Sequence, residues 1–224
     1  MDLFPTYVHR FQIYDNDLVN QIITHIKKEQ ELSESLKLEG SCNNISGEYS
    51  VRGHGSFHSK DDLAELDTEW SKKLRALCYQ VSCDYYYHFT NASFTPIPPM
   101  DECSIQCWGV ILNKGGISQV HSHPCCKMAG VMWLDVPERI GSKNSLHHDE
   151  GTFCVRDPRP SAHMDIAIGG EVCRFVPAPM TGMVFPNWLD HYVNPHYGDE
   201  DRISIAWNTE WNLNNNLGSI KSNN

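Results

Sequence analysis

The sequence predicts an α+β fold in which N-terminal helices pack on one outer face of a double-sheet β-structure, either a jelly roll or a barrel. Three observations lead to this prediction. Two segments before residue 99 repeat apolar side chains at helical spacing, and short apolar runs separated by turn residues follow that point. Hydrophobic residues make up 40% of the 224 residues, which is enough to bury a core in one domain.

The helical segments are residues 16–32 and 60–82, and both are amphipathic. We expect Asn16 to cap the first helix and Ser59 to cap the second, because each short polar residue precedes an apolar stripe. The stripe of the second helix consists of Leu63, Leu66, Trp70, Leu74 and Leu77. Both helices need an apolar surface to cover, which a β-sheet would provide.

The β-region follows a proline-rich boundary at residues 95–99. Its runs are short and recur at the spacing that is typical of sandwiches and barrels. The predicted strands are residues 105–112, 118–123, 128–135, 152–156, 171–177, 182–186, 190–194 and 202–209. We therefore expect a support region at 1–98 with a long polar loop at 33–58 that could contain one strand, a core at 99–211 and a frayed tail at 212–224.

Composition excludes several classes of function. The formal net charge is −10 and no basic run is present, which argues against nucleic-acid binding. No stretch of about 20 apolar residues exists to span a membrane, and the N-terminus lacks the pattern of a secretory signal. The nine cysteines are irregularly spaced, so we expect reduced thiols in a cytoplasmic protein.

Two histidines stand two residues apart in the segment Val120-His121-Ser122-His123-Pro124. Residues i and i+2 of a strand share a face, so both imidazoles can approach one metal ion. A third histidine, His191, follows a turn after an apolar strand. Taken alone, each feature also fits a structural role. His121 and His123 could be a surface pair at a strand end, and His191 could be a core histidine.

The last predicted strand alternates polar and apolar residues. Arg202, Ser204, Ala206 and Asn208 would share one face, which lines a cavity, while the opposite face would lie under the helices. An inward arginine needs an anion, and a bidentate carboxylate is its natural partner. That carboxylate could belong to a structural Asp or Glu of this chain or to a ligand.

The motifs together resemble those of the 2-oxoglutarate/Fe(II) oxygenases found in phages and marine bacteria, and the similarity covers most of the chain. The pattern runs from H-x-H-P through F-P-x-W-L-x-H to R-I-S-I-x-x-N. The matching segments are His121 to Pro124, Phe185 to His191 and Arg202 to Asn208. The resemblance implies a double-stranded β-helix, Fe(II) with 2-oxoglutarate and O2 as cosubstrates, and release of succinate and CO2.

The resemblance further implies that His121, His123 and His191 hold iron and that Arg202 and Ser204 hold the distal carboxylate of 2-oxoglutarate. The usual facial triad is two histidines and a carboxylate, and His123 occupies the carboxylate's position. Either the site has three histidines, or another group completes it. The candidates for that group are Asp190, Asp149 and Glu150.

Further residues are candidates for contacting the cosubstrate or the substrate, although surface or packing roles also fit those on the substrate side. Asn113, Gln119 and Asn208 are candidates for binding 2-oxoglutarate, and Arg159, Cys125 and Trp133 are candidates for contacting substrate. The expected partners are a small-molecule or peptide substrate, with a homodimer as one assembly. Two alternatives stay open: a three-histidine dioxygenase that needs no 2-oxoglutarate, and a non-catalytic jelly-roll binding protein.

Overall fold

The computed structural model describes residues 5–38, 56–90, 97–140, 148–159 and 172–211. Ten strands, two α-helices and one 3-10 helix lie in these ranges. In chain order they are β1 (His9–Gln12), α1 (Asn16–Leu38), β2 (Ser56–His58), α2 (Glu69–Thr90), the 3-10 helix Met100–Glu102, β3 (Cys103–Leu112), β4 (Ser118–His121), β5 (Met128–Asp135), β6 (Phe153–Arg156), β7 (Val172–Phe175), β8 (Thr181–Pro186), β9 (His191–Val193) and β10 (Arg202–Trp211).

The strands form two antiparallel sheets. The larger sheet has the order β1-β8-β5-β10-β3-β2, and the smaller has the order β4-β9-β6-β7. One apolar cluster lies between the two sheets and includes Val131, Phe153 and Phe185. A second cluster lies between the larger sheet and the helices and includes Ile26, Leu74 and Trp207. The predicted double-sheet core with helices on one outer face is confirmed.

Each predicted strand has a counterpart whose ends lie within two residues of the predicted ones. The run predicted at 118–123 ends as a strand at His121, and His123 lies just beyond it. The polar loop predicted at 33–58 contains α1 up to Leu38 and the short strand β2. The predicted tail at 212–224 and residues 95 and 96 of the proline-rich boundary lie outside the described residues.

The second helix begins at Glu69 rather than at residue 60, so that prediction was wrong by about two and a half turns. Ser59 is not a cap: its hydroxyl donates to the carbonyl of Lys60 and accepts from the backbone N–H of Gly109. The helix is capped by Thr68, whose hydroxyl accepts from the N–H of Ser71.

The cap of the first helix also differs from the prediction. The backbone N–H of Leu18 donates to the carboxylate of Asp15, so Asp15 rather than Asn16 caps α1. Of the nine cysteines, the eight in the described residues are free thiols. Neither helix is long and apolar enough to cross a membrane.

Candidate active site

One face of the β3–β10 pair lines the main cavity of the described residues, which has a volume of about 970 Å³. The register pairs Arg202 with Leu112, Ser204 with Val110 and Ala206 with Trp108. The opposite face of β10, with Ile203, Ile205 and Trp207, is fully buried under the helices. The predicted division of this strand into a cavity face and a core face is therefore confirmed.

Three histidines meet in the wall of this cavity. One ring nitrogen from each of His121, His123 and His191 lies within 4.8 Å of the others. β4 and β9 bring two of them together, because His121 and His191 are register partners in the smaller sheet. No aspartate, glutamate or cysteine of the described residues belongs to the cluster.

Backbone carbonyls orient two of these imidazoles. Nδ1 of His121 lies 2.7 Å from the carbonyl of Gln119, and Nδ1 of His191 lies 2.8 Å from the carbonyl of Leu189. In a neutral imidazole, an Nδ1–H that donates to a carbonyl leaves the lone pair on Nε2. Such a contact commonly fixes the tautomer of a metal-ligating histidine.

The spacing of the histidine nitrogens suits a metal ion. Nε2 of His123 and Nε2 of His191 are 3.2 Å apart. If two imidazole nitrogens bind one metal at about 2.1 Å each, and the two metal–nitrogen bonds form a right angle, the nitrogens are about 3 Å apart. Three neutral nitrogen donors are a suitable set for Fe, Zn, Cu or Ni.

Arg202 lies at the closed end of the cavity and is 2% exposed. Its Nε and Nη2 atoms are buried, and neither has a hydrogen-bond partner among the described residues. Burial lowers the pKa of this guanidinium to about 10. An uncompensated buried cation is costly, so this end of the cavity favours an anion.

The comparisons with known proteins fit this geometry. Residues 106–208 match the model of a family described as "Putative 2OG-Fe(II) oxygenase". The chain carries a 2-oxoglutarate/Fe(II) oxygenase domain. It is thereby an enzyme that uses Fe(II), 2-oxoglutarate and O2, and the matched segment contains all three histidines and Arg202. No curated protein sequence matches the chain.

Solved structures show the same fold as the oxygenase domain and its helices. A prolyl-4-hydroxylase from Pseudomonas putida is 15% identical with a TM-score of 0.56, and the match covers 92% of this chain and 93% of that one. A Trichoplax adhaerens prolyl hydroxylase, in complex with a hypoxia inducible factor peptide fragment, is 11% identical with a TM-score of 0.53 over 95% and 87%. HygX from Streptomyces hygroscopicus, with nickel and 2-oxoglutarate bound, is 10% identical with a TM-score of 0.52 over 93% and 84%.

The other residues assigned to 2-oxoglutarate lie in different surroundings. Asn208 lines the open end of the cavity. Asn113 instead donates a 2.8 Å hydrogen bond to Asp201, and the side chain of Gln119 is exposed. Neither of these two lines the cavity, although the carbonyl of Gln119 orients His121.

The three candidates for substrate contact do not line the cavity of the oxygenase domain. Arg159 is exposed and pairs with Asp157 at 2.6 Å. Cys125 is exposed and has a positive φ of 69°. Trp133 is buried between the sheets, with its ring 5.9 Å from that of Phe153.

The alternative carboxylates have other positions. Glu150 is buried and accepts hydrogen bonds from Arg139 and from the N–H of Tyr197. Asp149 lies 3.5 Å from Arg174, and the side chain of Asp190 is exposed. The described residues therefore bring three histidines together without a carboxylate.

Sequence reasoning missed one wall of the cavity, which is formed by residues that precede the oxygenase domain in the sequence. This wall is made by Ser56, His58, Ser59, Lys60, Asp61 and Asp62. It also missed Gln106 and Trp108, although their alternation with the buried residues Ile105 and Cys107 was a usable signal for a cavity face. Nothing in the sequence indicated that the segment after β2 would run beside β3.

Proposed function

We propose that the protein hydroxylates a C–H bond of a small molecule or of a peptidyl side chain. In this proposal His121, His123 and His191 hold Fe(II), and Arg202 and Ser204 bind the distal carboxylate of 2-oxoglutarate. The observation that carries the proposal is the buried guanidinium of Arg202, which has no partner for Nε or Nη2 among the described residues and opens on a cavity that also contains the three histidines.

The distances along β10 suit this assignment. Trp108 stacks beside His123, with ring centroids 6.1 Å apart, and its register partner is Ala206. Ser204 is one inward-facing position further along, about 7 Å away, and Arg202 is one position beyond Ser204. A five-carbon dicarboxylate can therefore extend from the histidines toward the serine hydroxyl and the guanidinium.

The histidines have a role in the charge balance of the site. Three neutral imidazoles leave the double positive charge of Fe(II) uncompensated, and the two carboxylates of 2-oxoglutarate neutralise it. The guanidinium of Arg202 compensates the distal carboxylate locally. Apolar residues of the cavity wall, which include Val110, Phe153, Phe185 and Val193, exclude water from the reacting end.

The bound iron and 2-oxoglutarate supply the oxidising chemistry: one atom of O2 enters the substrate as hydroxyl, the other enters succinate, and CO2 is released. The protein orients the three reactants. Its carbonyl-anchored histidines fix the metal's position, and the Arg202 end fixes the cosubstrate.

The test is binding and turnover of 2-oxoglutarate. We expect Zn(II)-loaded protein to bind one 2-oxoglutarate per chain in a calorimetric titration, and Fe(II)-loaded protein with O2 to form one succinate for each 2-oxoglutarate consumed. Protein with an exposed histidine replaced, His148→Ala, serves as the matched control. An enzyme that oxidises a substrate while 2-oxoglutarate remains unconsumed would instead be a three-histidine dioxygenase that does not use this cosubstrate.

Four finer predictions accompany this proposal. The motifs support membership in the phage and marine-bacterial group, and the free thiols support a cytoplasmic location. A homodimer and the division into a support region at 1–98, a core at 99–211 and a tail at 212–224 stay predictions. Gel filtration and limited proteolysis test the last two.

A further inference from the structure

The cavity has a closed end and an open end on opposite sides of the histidines. Along the cavity face of β3, Leu112 is buried, Val110 and Trp108 are half-buried, and Gln106 is exposed. On β10, the exposure rises from the buried Arg202 to the half-buried Asn208. Gln106 and Asn208 are register partners, so together they mark the mouth of the cavity.

The segment 59–63 forms the wall beside this mouth. The N–H of Ser59 donates to the carbonyl of Gly109, the N–H of Cys107 donates to that of Asp61, and the N–H of Leu63 donates to that of Cys107. The first bond extends the antiparallel pairing of β2 with β3, and the other two form a parallel bridge between Asp62 and Cys107. They hold Asp61 and Asp62 at the cavity, next to Gln106.

Hydrogen bonds at the mouth have a defined direction. Gln106 donates its amide N–H to the carboxylate of Asp61, and Asn208 donates to Oε1 of Gln106 at 3.5 Å. A carboxylate only accepts, so Asp61 requires the amide group of Gln106 to face it. The oxygen of Gln106 then faces Asn208, whose own amide group turns toward it and whose oxygen remains as an acceptor.

Two acceptors at the mouth therefore lack a donor. Oδ1 of Asn208 and Oδ1 of Asp62 are buried and have no hydrogen-bond partner among the described residues. The charged side chains lining this end are Lys60, Asp61 and Asp62, which leave a net negative charge. The formal net charge of the whole chain, which includes these residues, is −10, and it attracts cations over longer distances.

We propose that the mouth of the cavity binds a protonated amine of the substrate, donating to Asn208 and Asp62. The inference rests on the proposed function, because it takes the closed end as the 2-oxoglutarate site. Asn208 is one inward-facing position beyond Ala206, so the amine lies roughly 7 Å from the level of the histidines. The substrate class is an amine whose oxidised carbon is a few bonds from its nitrogen, such as a lysine-like side chain.

The test compares two probes that differ only in charge at the chain end. These are Nα-acetyl-lysine N-methylamide and Nα-acetyl-norleucine N-methylamide, each titrated by saturation-transfer NMR into Zn(II)-loaded protein that holds 2-oxoglutarate. We expect the lysine probe to bind at least about 10-fold more tightly, because it makes charge-assisted hydrogen bonds at the mouth. Equal binding of the two probes, or no binding of the lysine probe at millimolar concentration, overturns the inference.

Variants at Asn208 give changes of opposite sign at one position. Asn208→Asp adds a charge to the acceptor and should increase the preference for lysine, whereas Asn208→Leu should reduce it about 10-fold. Asp62→Asn should reduce it as well, and Asp67→Asn, on an exposed turn, is the matched control that should leave it unchanged. If the preference for lysine in Asn208→Asp, Asn208→Leu and Asp62→Asn equals that of wild type, the inference is contradicted.

Binding of 2-oxoglutarate separates this inference from the proposed function. Affinity for 2-oxoglutarate should be the same in wild type and in Asp62→Asn, since Arg202 lies at the other end of the cavity. If 2-oxoglutarate binds and no preference for lysine is found, only the inference fails. If 2-oxoglutarate does not bind, the proposed function fails.

Discussion

His123 and His191 stack with their ring planes 9° apart and their Nε2 atoms separated by 3.2 Å. Both side chains are 5% exposed. Nδ1 of His191 is held by the carbonyl of Leu189, so in the neutral ring its Nε2 carries a lone pair directed at His123. Nε2–H of His123 can donate to this lone pair, and a metal ion bound by both nitrogens would take the place of that proton.

Removal of one histidine should therefore release the metal. We expect His191→Ala to lose affinity for Fe(II) and Zn(II) by more than the roughly 10–100-fold that loss of a supporting group costs. Dialysis followed by elemental analysis measures the metal retained per chain. His123→Asp is the informative companion, because it restores two histidines and a carboxylate and should retain iron. Equal metal content in His191→Ala and wild type would show that the cluster is not the metal site.

Arg202 should destabilise the protein when no ligand is bound. Its pKa is lowered to about 10 by burial, which corresponds to a cost on the order of 3 kcal/mol for the charged form. We expect Arg202→Met to unfold at a higher denaturant concentration than wild type and to lose the stabilisation that added 2-oxoglutarate provides.

If Arg202 instead has a structural role, the substitution Arg202→Met should change the stability in the opposite direction. A guanidinium paired with a carboxylate of the chain would make Arg202→Met less stable by about 3–5 kcal/mol. Urea denaturation with and without 2-oxoglutarate therefore distinguishes a ligand-binding arginine from a structural one.

Gly130 lies directly under the indole of Trp207, its register partner in the larger sheet. A Cβ atom at residue 130 would overlap three atoms of that fully buried ring. We expect Gly130→Ala to lower the free energy of unfolding by about 1–3 kcal/mol, measured by denaturation. The double variant Gly130→Ala with Trp207→Leu should show a positive coupling, and strict additivity of the two changes would contradict the steric explanation.

Acid should weaken the contact between the loops at Glu150 and Tyr197. Burial alone would raise the pKa of Glu150, but hydrogen bonds from the N–H of Tyr197 and from Arg139 outweigh it and lower that pKa below its usual value of 4.5. A carboxyl with a lowered folded pKa stabilises the fold above its unfolded pKa. That stabilisation is lost as the pH falls through the folded pKa.

The corresponding measurement is the free energy of unfolding between pH 7 and pH 3. In Glu150→Gln, the free energy of unfolding should decrease less steeply than in wild type below about pH 4.5. Glu69→Gln, at a position 88% exposed, is the control and should follow the wild-type curve. Identical curves for Glu150→Gln and wild type would exclude this carboxyl as a source of the acid sensitivity.

The β-core could be predicted because its strands obey local rules. Alternation along β10 identified which residues face the cavity, and it did so without reference to any partner strand. The start of α2 could not be predicted in this way. The helical spacing from Leu63 onward was real, but tertiary hydrogen bonds from Ser59 and Leu63 to β3 hold this segment out of the helix.

The site could be predicted only where one strand or turn carries it. His121, His123 and Arg202 belong to short motifs, whereas the wall residues Asp61 and Asp62 meet Gln106 across more than forty positions of sequence. Such contacts depend on sheet order, which has no local signature. Asn113 and Gln119, which are candidates for binding 2-oxoglutarate, do not line the cavity.

The wall at residues 56–63 lies outside the segment that matches the oxygenase family, yet it borders the same cavity as the histidines. Part of the proposed substrate contact, Asp62, thus lies in a stretch of sequence separate from the iron ligands. Mutation of residues 56–63 can alter which compounds enter the cavity while the iron ligands remain unchanged. Related chains with a different segment at this position are therefore natural variants in which to look for altered substrate range.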